Sequence, residues 1–273
     1  MAKITEYPST TRFDSGDVLL KDGTKGTKTI TAANAAVEFA GLVSAMNHRN
    51  TYRGKNLGTS VTSAQKTAIQ NGTFDDLFIG DYWVINGKNW RIADIDYFYN
   101  CGDTALTKHH LVIVPDGSLY VAQMNETNTT EGGYVGSKMY TENLKDAKTA
   151  FTNAFGDMIL THKEYLTNAV TDGKPSAAGW FDSTVELMNE IMVYGTTIFT
   201  PTSDGSTIPT LYTVNKQQLA LFQMDITKIN QRATFWLRDV VSSLSFAAVS
   251  YYGVARSDGA SYSLGVRPYA PIG

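Results

Sequence analysis

At 273 residues, 42% hydrophobic and 18% charged, the chain has the composition of a folded globular protein with room for one large domain and a small one. A net charge of −3, a pI near 5.8 and the lack of any basic run of five or more residues leave no electrostatic footprint for nucleic acid. A single cysteine, Cys101, excludes an intramolecular disulfide and a cysteine-based zinc cluster, and is expected as a small, partly buried side chain.

The opening residues carry no apolar signal-peptide core, and no stretch approaches the ~18 apolar residues of a membrane span, so membrane insertion is not expected. Residues 1–30 read as a small β element: an apolar run at 17–21, a tight turn at Asp22-Gly23 and a return strand at 27–31. The Gly-Thr-Lys-Gly-Thr-Lys pattern there lacks phosphate-loop spacing. Thr31 then caps an Ala-rich helix to about Asn47, whose incomplete apolar stripe packs either on the hairpin or main domain or between copies in a homotrimer. Residues 48–60 read as a linker. Thr62 and Gln65 have capping-box spacing for a short helix ending at Asn71-Gly72.

A large domain is expected from residue 74. Strands over 82–85 and 90–95 join through Asn86-Gly87, and a second pair over 110–114 and 119–123 joins around Asp116-Gly117. Helices are predicted over 144–155, stopped by Gly156, over 185–193 and over 215–224. Strands over 234–237, 245–249 and 264–268 close the chain. The order indicates an α+β fold with a mixed, mostly antiparallel sheet and flanking helices. The domain organisation is therefore 1–48 as a small N-terminal element, 49–73 as linker and short helix, and 74–273 as the large domain.

Chemistry is sparse. His109 and His110 are adjacent, which points them to opposite faces of a strand and defeats joint metal ligation. Asp75-Asp76 and Asp94-x-Asp96 lack the oxygen-rich spacing of a calcium loop and read as solvated or capping carboxylates. No His-Glu-x-x-His or Gly-x-Ser-x-Gly occurs. Trp83, Trp90 and Trp180 lie in apolar runs and read as core. No catalytic residue, metal or cofactor is expected.

The informative region is the C-terminus. From Asp239 to Gly273 there is no Lys, Glu, Gln, Met or Trp, although these types supply 42 of the 273 residues, too many for so long a gap to be a chance expectation. They are the five types that cannot be reached by changing only the adenines of an asparagine codon. The stretch 250–262 places three tyrosines, Arg256 and Asp258 among small residues. Tyr and Arg dominate binding hot spots, and Tyr, Ser and Gly form adaptable recognition surfaces. The run has little helical periodicity, and a loop of that length in a compact domain is uncommon unless it serves a purpose.

Two stiff segments, Phe235-Trp236-Leu237-Arg238 and Gly265-Val266-Arg267-Pro268, enclose this stretch. Upstream stand Gly80-Asp81-Tyr82-Trp83-Val84-Ile85-Asn86-Gly87 with Trp90-Arg91-Ile92-Ala93-Asp94, then Met124-Asn125, Gly132-Gly133-Tyr134-Val135-Gly136-Ser137-Lys138-Met139 and Leu187-Met188-Asn189-Glu190. Over roughly residues 74–273 this order of motifs resembles the variable protein of a phage or prophage diversity-generating retroelement, on a C-type-lectin-like fold related to formylglycine-generating enzymes. Enzymes of that kind need reactive cysteines, and Cys101 has no basic neighbour in sequence to lower its pKa.

The resemblance implies a framework of Trp236, Arg238, Asp239, Val240, Ser242, Phe246, Val249, Gly253, Ala255, Ala260, Ser261, Gly265, Val266, Arg267 and Pro268. It implies exposed, exchangeable, ligand-binding positions at Val241, Ser243, Leu244, Ser250, Tyr251, Tyr252, Val254, Arg256, Ser257, Asp258, Tyr262 and Leu264. Arg238 and Arg267, set in apolar segments, are expected to pair with carboxylates or carbonyls as scaffold. The expected function is receptor binding at the virion surface, to a bacterial surface protein or glycan. The resemblance further implies that 1–48 is a virion-attachment or oligomerisation element that contacts other virion proteins, that 74–273 is the ligand-binding domain, and that the chain assembles as a homotrimer. The alternative is a structural virion protein, a capsid decoration or fibre subunit, whose lectin-like domain makes only protein contacts.

Overall fold

The computed structural model describes residues 18–21, 28–31, 45–201 and 217–273. The chain divides into two compact units, residues 1–47 and 48–273. In the first, β1 (Val18–Lys21) and β2 (Lys28–Thr31) pair antiparallel, with Val18 opposite Thr31 and Lys21 opposite Lys28. The expected Asp22-Gly23 turn lies outside the described residues, as do residues 32–44 of the expected helix. A short helix, α1, covers Ala45–Arg49.

Residues 49–73, expected as linker and short helix, belong to the second unit. Buried carboxylates explain this. Asp94 is paired with Arg49 at 2.6 Å and Asp81 with Arg53 at 2.6 Å, since a buried charge without a partner is strongly destabilising. Tyr52 and Asn56 form single β-bridges to Ile79 and Tyr82. Helix α2 (Ser63–Gln70) opens with the expected capping box: the Gln65 N–H donates to the Thr62 hydroxyl and the Thr62 N–H to the Gln65 side chain.

The β-hairpin β3 (Tyr82–Ile85) and β4 (Lys88–Ile95) turns at Asn86 and Gly87, with φ of 52° and 70°, the left-handed pair that a two-residue turn demands. Next come β5 (Leu111–Pro115) and β6 (Tyr120–Ala122). These two do not pair with each other as the sequence predicts. Instead β5 pairs with β4, and β6 pairs with a strand near the C-terminus. Asp116, read as a turn residue, is held by Arg91 on β4 at 2.5 Å, and the chain leaves the sheet there.

Helix α3 (Leu144–Phe155) buries Leu144, Ala147, Phe151 and Phe155, the predicted stripe, and ends at Gly156 with φ 56°. The Trp90 ring lies 4.7 Å from Phe151 and 5.5 Å from Phe155, so this face and the β3–β4 hairpin share one core. A long hairpin follows, β7 (His162–Thr171) and β8 (Lys174–Ser183), turning at Asp172-Gly173 with φ of 51° and 72°. Trp180, read as core, is only half-buried on this hairpin, against Tyr165.

The predicted helix over 185–193 is a strand and then a helix. In β9 (Glu186–Leu187) the backbone is taken by the last strand, and Asn189 caps α4 (Glu190–Tyr194) by accepting the Met192 N–H at 2.7 Å. Within 215–224, α5 (Ala220–Met224) is helical; residues 215–216 lie outside the described residues.

The final strands are β10 (Phe235–Val240), β11 (Ser245–Val249), β12 (Ala255–Gly259), β13 (Leu264–Val266) and β14 (Pro268–Ile272). One five-stranded sheet, order β3-β4-β5-β14-β9, is antiparallel throughout. The other, order β12-β11-β10-β13-β6, contains the parallel pair β10–β13. The fold is α+β, and the chain steps from one sheet to the other at Arg267, between β13 and β14. Among the described residues no helix is long and apolar enough to cross a membrane.

Candidate functional site

The base beneath the C-terminal stretch is buried and tightly bonded. Trp236 is fully buried, and its indole N–H donates to the Ala122 carbonyl at 2.9 Å, tying β10 to β6. Arg238 donates to Glu164 (3.0 Å), the Leu187 carbonyl (3.1 Å) and the Tyr269 hydroxyl (3.2 Å). The Tyr269 hydroxyl in turn donates to Glu164. Burial pushes the Glu164 carboxyl up, but Arg238, with His162 and Tyr269, outweighs it and holds the pKa at about 2. Asp239 accepts the Glu190 N–H at 2.6 Å. Arg267 donates to the carbonyls of Pro115 and Lys228, each at 2.9 Å, with the rings of Phe222 and Phe235 beside it. Burial lowers its pKa to about 10. Both arginines are thus scaffold, one on a carboxylate and one on carbonyls, as their apolar sequence setting implies.

Above this base the stretch is not the long loop that its composition suggests. Residues 255–259 form β12, paired with β11 over five consecutive positions from Ser245 opposite Gly259 to Val249 opposite Ala255. Two short loops and a turn carry the rest. The 241–244 loop is clamped from outside: the Thr130 N–H donates to the Ser243 carbonyl (3.1 Å) and the Thr130 hydroxyl to the Ser242 carbonyl (2.8 Å). The 250–254 turn closes through the Ser250 N–H to Val254 (2.8 Å) and needs Gly253 at φ 86°; the Tyr194 hydroxyl donates to the Gly253 carbonyl at 3.2 Å. At 260–262, Asn128 accepts both the N–H and the hydroxyl of Ser261.

Of the twelve positions expected to face outward, Ser243, Leu244, Tyr251, Tyr252, Val254, Arg256 and Tyr262 are exposed, Tyr252 the most of the tyrosines at 68%. Val241, Ser257 and Leu264 are half-exposed. Ser250 and Asp258 are corrections, buried at 8% and 5%. The Ser250 side chain turns in to accept the Tyr252 N–H (3.3 Å). Asp258 shares a strand face with Phe246, and Arg256 covers it at 2.6 Å. The rings of Tyr251 and Tyr252 lie 3.8 Å apart between centroids. Among the framework positions, Trp236, Arg238, Asp239, Val240, Phe246, Val249, Ala260, Gly265, Val266, Arg267 and Pro268 are buried, while Ser242, Gly253, Ala255 and Ser261 are half-buried.

Asn128, Thr130, Tyr194 and Gly173 hold these loops and were not legible as site residues. Only Asp172-Gly173 carried a sequence signal, that of a hairpin turn. The backbone of Gly173 approaches the 241–244 loop so closely that a Cβ would lie 2.8 Å from the Ser243 nitrogen, and its φ is 72°. Gly173→Ala should therefore destabilise the protein by about 1–3 kcal/mol, read as a lower urea midpoint.

The exposed groups are phenols, hydroxyls, a guanidinium and short aliphatics, which bind by hydrogen bonds, stacking and burial of apolar area. His109 and His110, the adjacent pair, are engaged elsewhere. His109 binds Asp96 at 2.7 Å and stacks on Tyr99. His110 bonds the Lys108 carbonyl and the Phe98 N–H. The carboxylates of Asp76, Asp94 and Asp96 are engaged by Arg53 and Lys55, by Arg49, and by His109. Comparison with protein-family models finds no match, and neither do comparisons with curated proteins and with solved structures.

Proposed function

We propose that the chain is a phage receptor-binding protein whose C-terminal domain, C-type-lectin-like and of the retroelement-diversified kind, offers residues 241–264 to a bacterial surface protein or glycan. The N-terminal unit attaches it to other virion proteins and assembles a homotrimer. Binding needs no catalysis, metal or cofactor. One observation supports the reading above others: exposed tyrosines and Val254 stand on short turns, and Arg256 on β12, above strands whose framework side chains are buried. The exposed turn positions change at a cost within about 0.5 kcal/mol each, so a partner can be exchanged without unfolding the base. Weak single sites gain strength when several copies engage one cell.

The test is the double variant Tyr251→Ala, Tyr252→Ala in the full chain. Its melting temperature is expected to stay within about 2 °C of the parent, while attachment to host cells falls at least roughly 100-fold, the loss of two hot-spot side chains. Attachment unchanged in a folded variant would defeat the proposal; unfolding would show the two side chains to be structural.

A further inference from the structure

We infer that β12 is a self-pairing edge, through which two copies of this chain join antiparallel about a two-fold axis at Ser257. This goes beyond receptor binding and does not rest on it.

Among the described residues β12 ends its sheet, with β11 on one side and no strand on the other. The hydrogen bonds on either side of the strand set its phase. The Ser250 N–H donates to the Val254 carbonyl at 2.8 Å, and the Ala260 N–H to the Leu244 carbonyl at 2.9 Å. Bonding alternates along an antiparallel ladder, so Arg256 and Asp258 also face β11 with their backbone groups. The N–H and C=O of Ala255, Ser257 and Gly259 therefore point away, in the plane of the sheet. Among the described residues only the Gly259 carbonyl has another partner, the Tyr262 N–H. These three residues are half-exposed and small, so no bulky side chain holds a second strand off. The strand has no Pro and no bulge, and its two charges, which alone could repel a second strand, are of opposite sign.

Charge selects the second strand. Arg256 and Asp258 lie symmetrically about Ser257 and share one face. A copy rotated about Ser257 sets each Arg256 opposite Asp258 of the second copy. These are non-hydrogen-bonded positions, where facing side chains come closest. In the same register Ser257 exchanges both backbone bonds with Ser257 of the second copy, and the Gly259 N–H donates to the Ala255 carbonyl of the second copy, the Gly259 carbonyl staying with Tyr262. An independent observation agrees. One carboxylate oxygen of Asp258 takes Arg256 at 2.6 Å, but the other is buried with no hydrogen-bond partner. A buried acceptor left unpaired is costly. The Arg256 of a second copy, arriving across the edge, supplies the missing donor.

The experiment uses the full chain with Cys101→Ser, so that an introduced thiol is the only one. Facing Ser257 positions would stand ~5.5 Å apart at Cα, within disulfide reach. Ser257→Cys is expected to oxidise to a covalent dimer at least about 10-fold faster than the exposed control Ser263→Cys. In sedimentation equilibrium the parent chain should double its assembly mass as concentration rises. Ser257→Pro, which removes only an outward N–H, and Arg256→Asp should each weaken that step at least about 10-fold with an unchanged circular dichroism spectrum. Equal oxidation rates at 257 and 263 would overturn the inference, as would a doubling that both variants leave intact. So would a mass that never doubles, which would leave the edge to other extended chains. Cell attachment is a separate readout, so either proposal can fail alone.

Discussion

Arg238→Ala should cost about 3–5 kcal/mol, the largest single-residue loss of stability expected in this protein. Its guanidinium is fully buried and reaches three elements at once: Glu164 on β7, the Leu187 carbonyl on β9 and the Tyr269 hydroxyl on β14. Because Arg238 itself lies on β10, it joins the sheet that carries the candidate surface to the antiparallel sheet below. Truncation would leave the Glu164 carboxylate in the interior without its cation. Arg238→Lys should recover little, since one ammonium cannot reproduce the fork. Removing both charges, as Arg238→Met with Glu164→Gln, should cost less than Arg238→Ala alone, because no unpaired ion remains. Urea denaturation of the three variants measures this. A loss under about 1 kcal/mol for Arg238→Ala would mean that the network is not what holds the sheets together.

Local signals in the sequence translated well into structure. Asn86-Gly87, the Thr62–Gln65 capping box and the Leu144–Phe155 stripe each depend on neighbours a few residues away, and each stands as read. Errors arose where distant partners decide. Val185, Leu187 and Met188 look helical in isolation, yet Tyr269 and Pro268 hold Glu186 and Leu187 as a strand. Asp116-Gly117 has the form of a turn, but its flanking strands are claimed by separate sheets. The β7–β8 hairpin is not legible despite Asp172-Gly173, because the buried positions that alternate at the start of β7 include His162 and Glu164, and β8 is half-buried or exposed over most of its length. At the candidate site, composition marked the stretch correctly as surface-forming. It could not reveal that residues 255–259 pair with β11, and that pairing turns Asp258 inward.

Acid should destabilise the protein in two stages, the first set by His110. Its ring Nδ1–H donates to the Lys108 carbonyl and its Nε2 accepts the Phe98 N–H; the second of these bonds requires the neutral ring. Burial lowers its pKa from 6.5 to about 4. A depressed folded pKa means the contribution is present above pH 6.5 and is lost as pH falls through about 4, because the unfolded chain takes up the proton first. The loss is roughly 3 kcal/mol. Glu164, held at about 2 against an ordinary 4.5, adds a second loss of similar size between those values. Glu186 and Asp94 oppose both: burial raises them, so stability from these groups is lost as pH rises through their folded pKa. The stages are therefore separated by substitution. His110→Gln keeps a side chain able to accept the Phe98 N–H but does not titrate. Its urea-derived stability should fall less steeply than the parent's between pH 6.5 and 4, by up to about 1.4 kcal/mol per pH unit, the slope of one proton. Identical slopes in the two proteins would show that the His110 ring is not excluded from protonation by its setting.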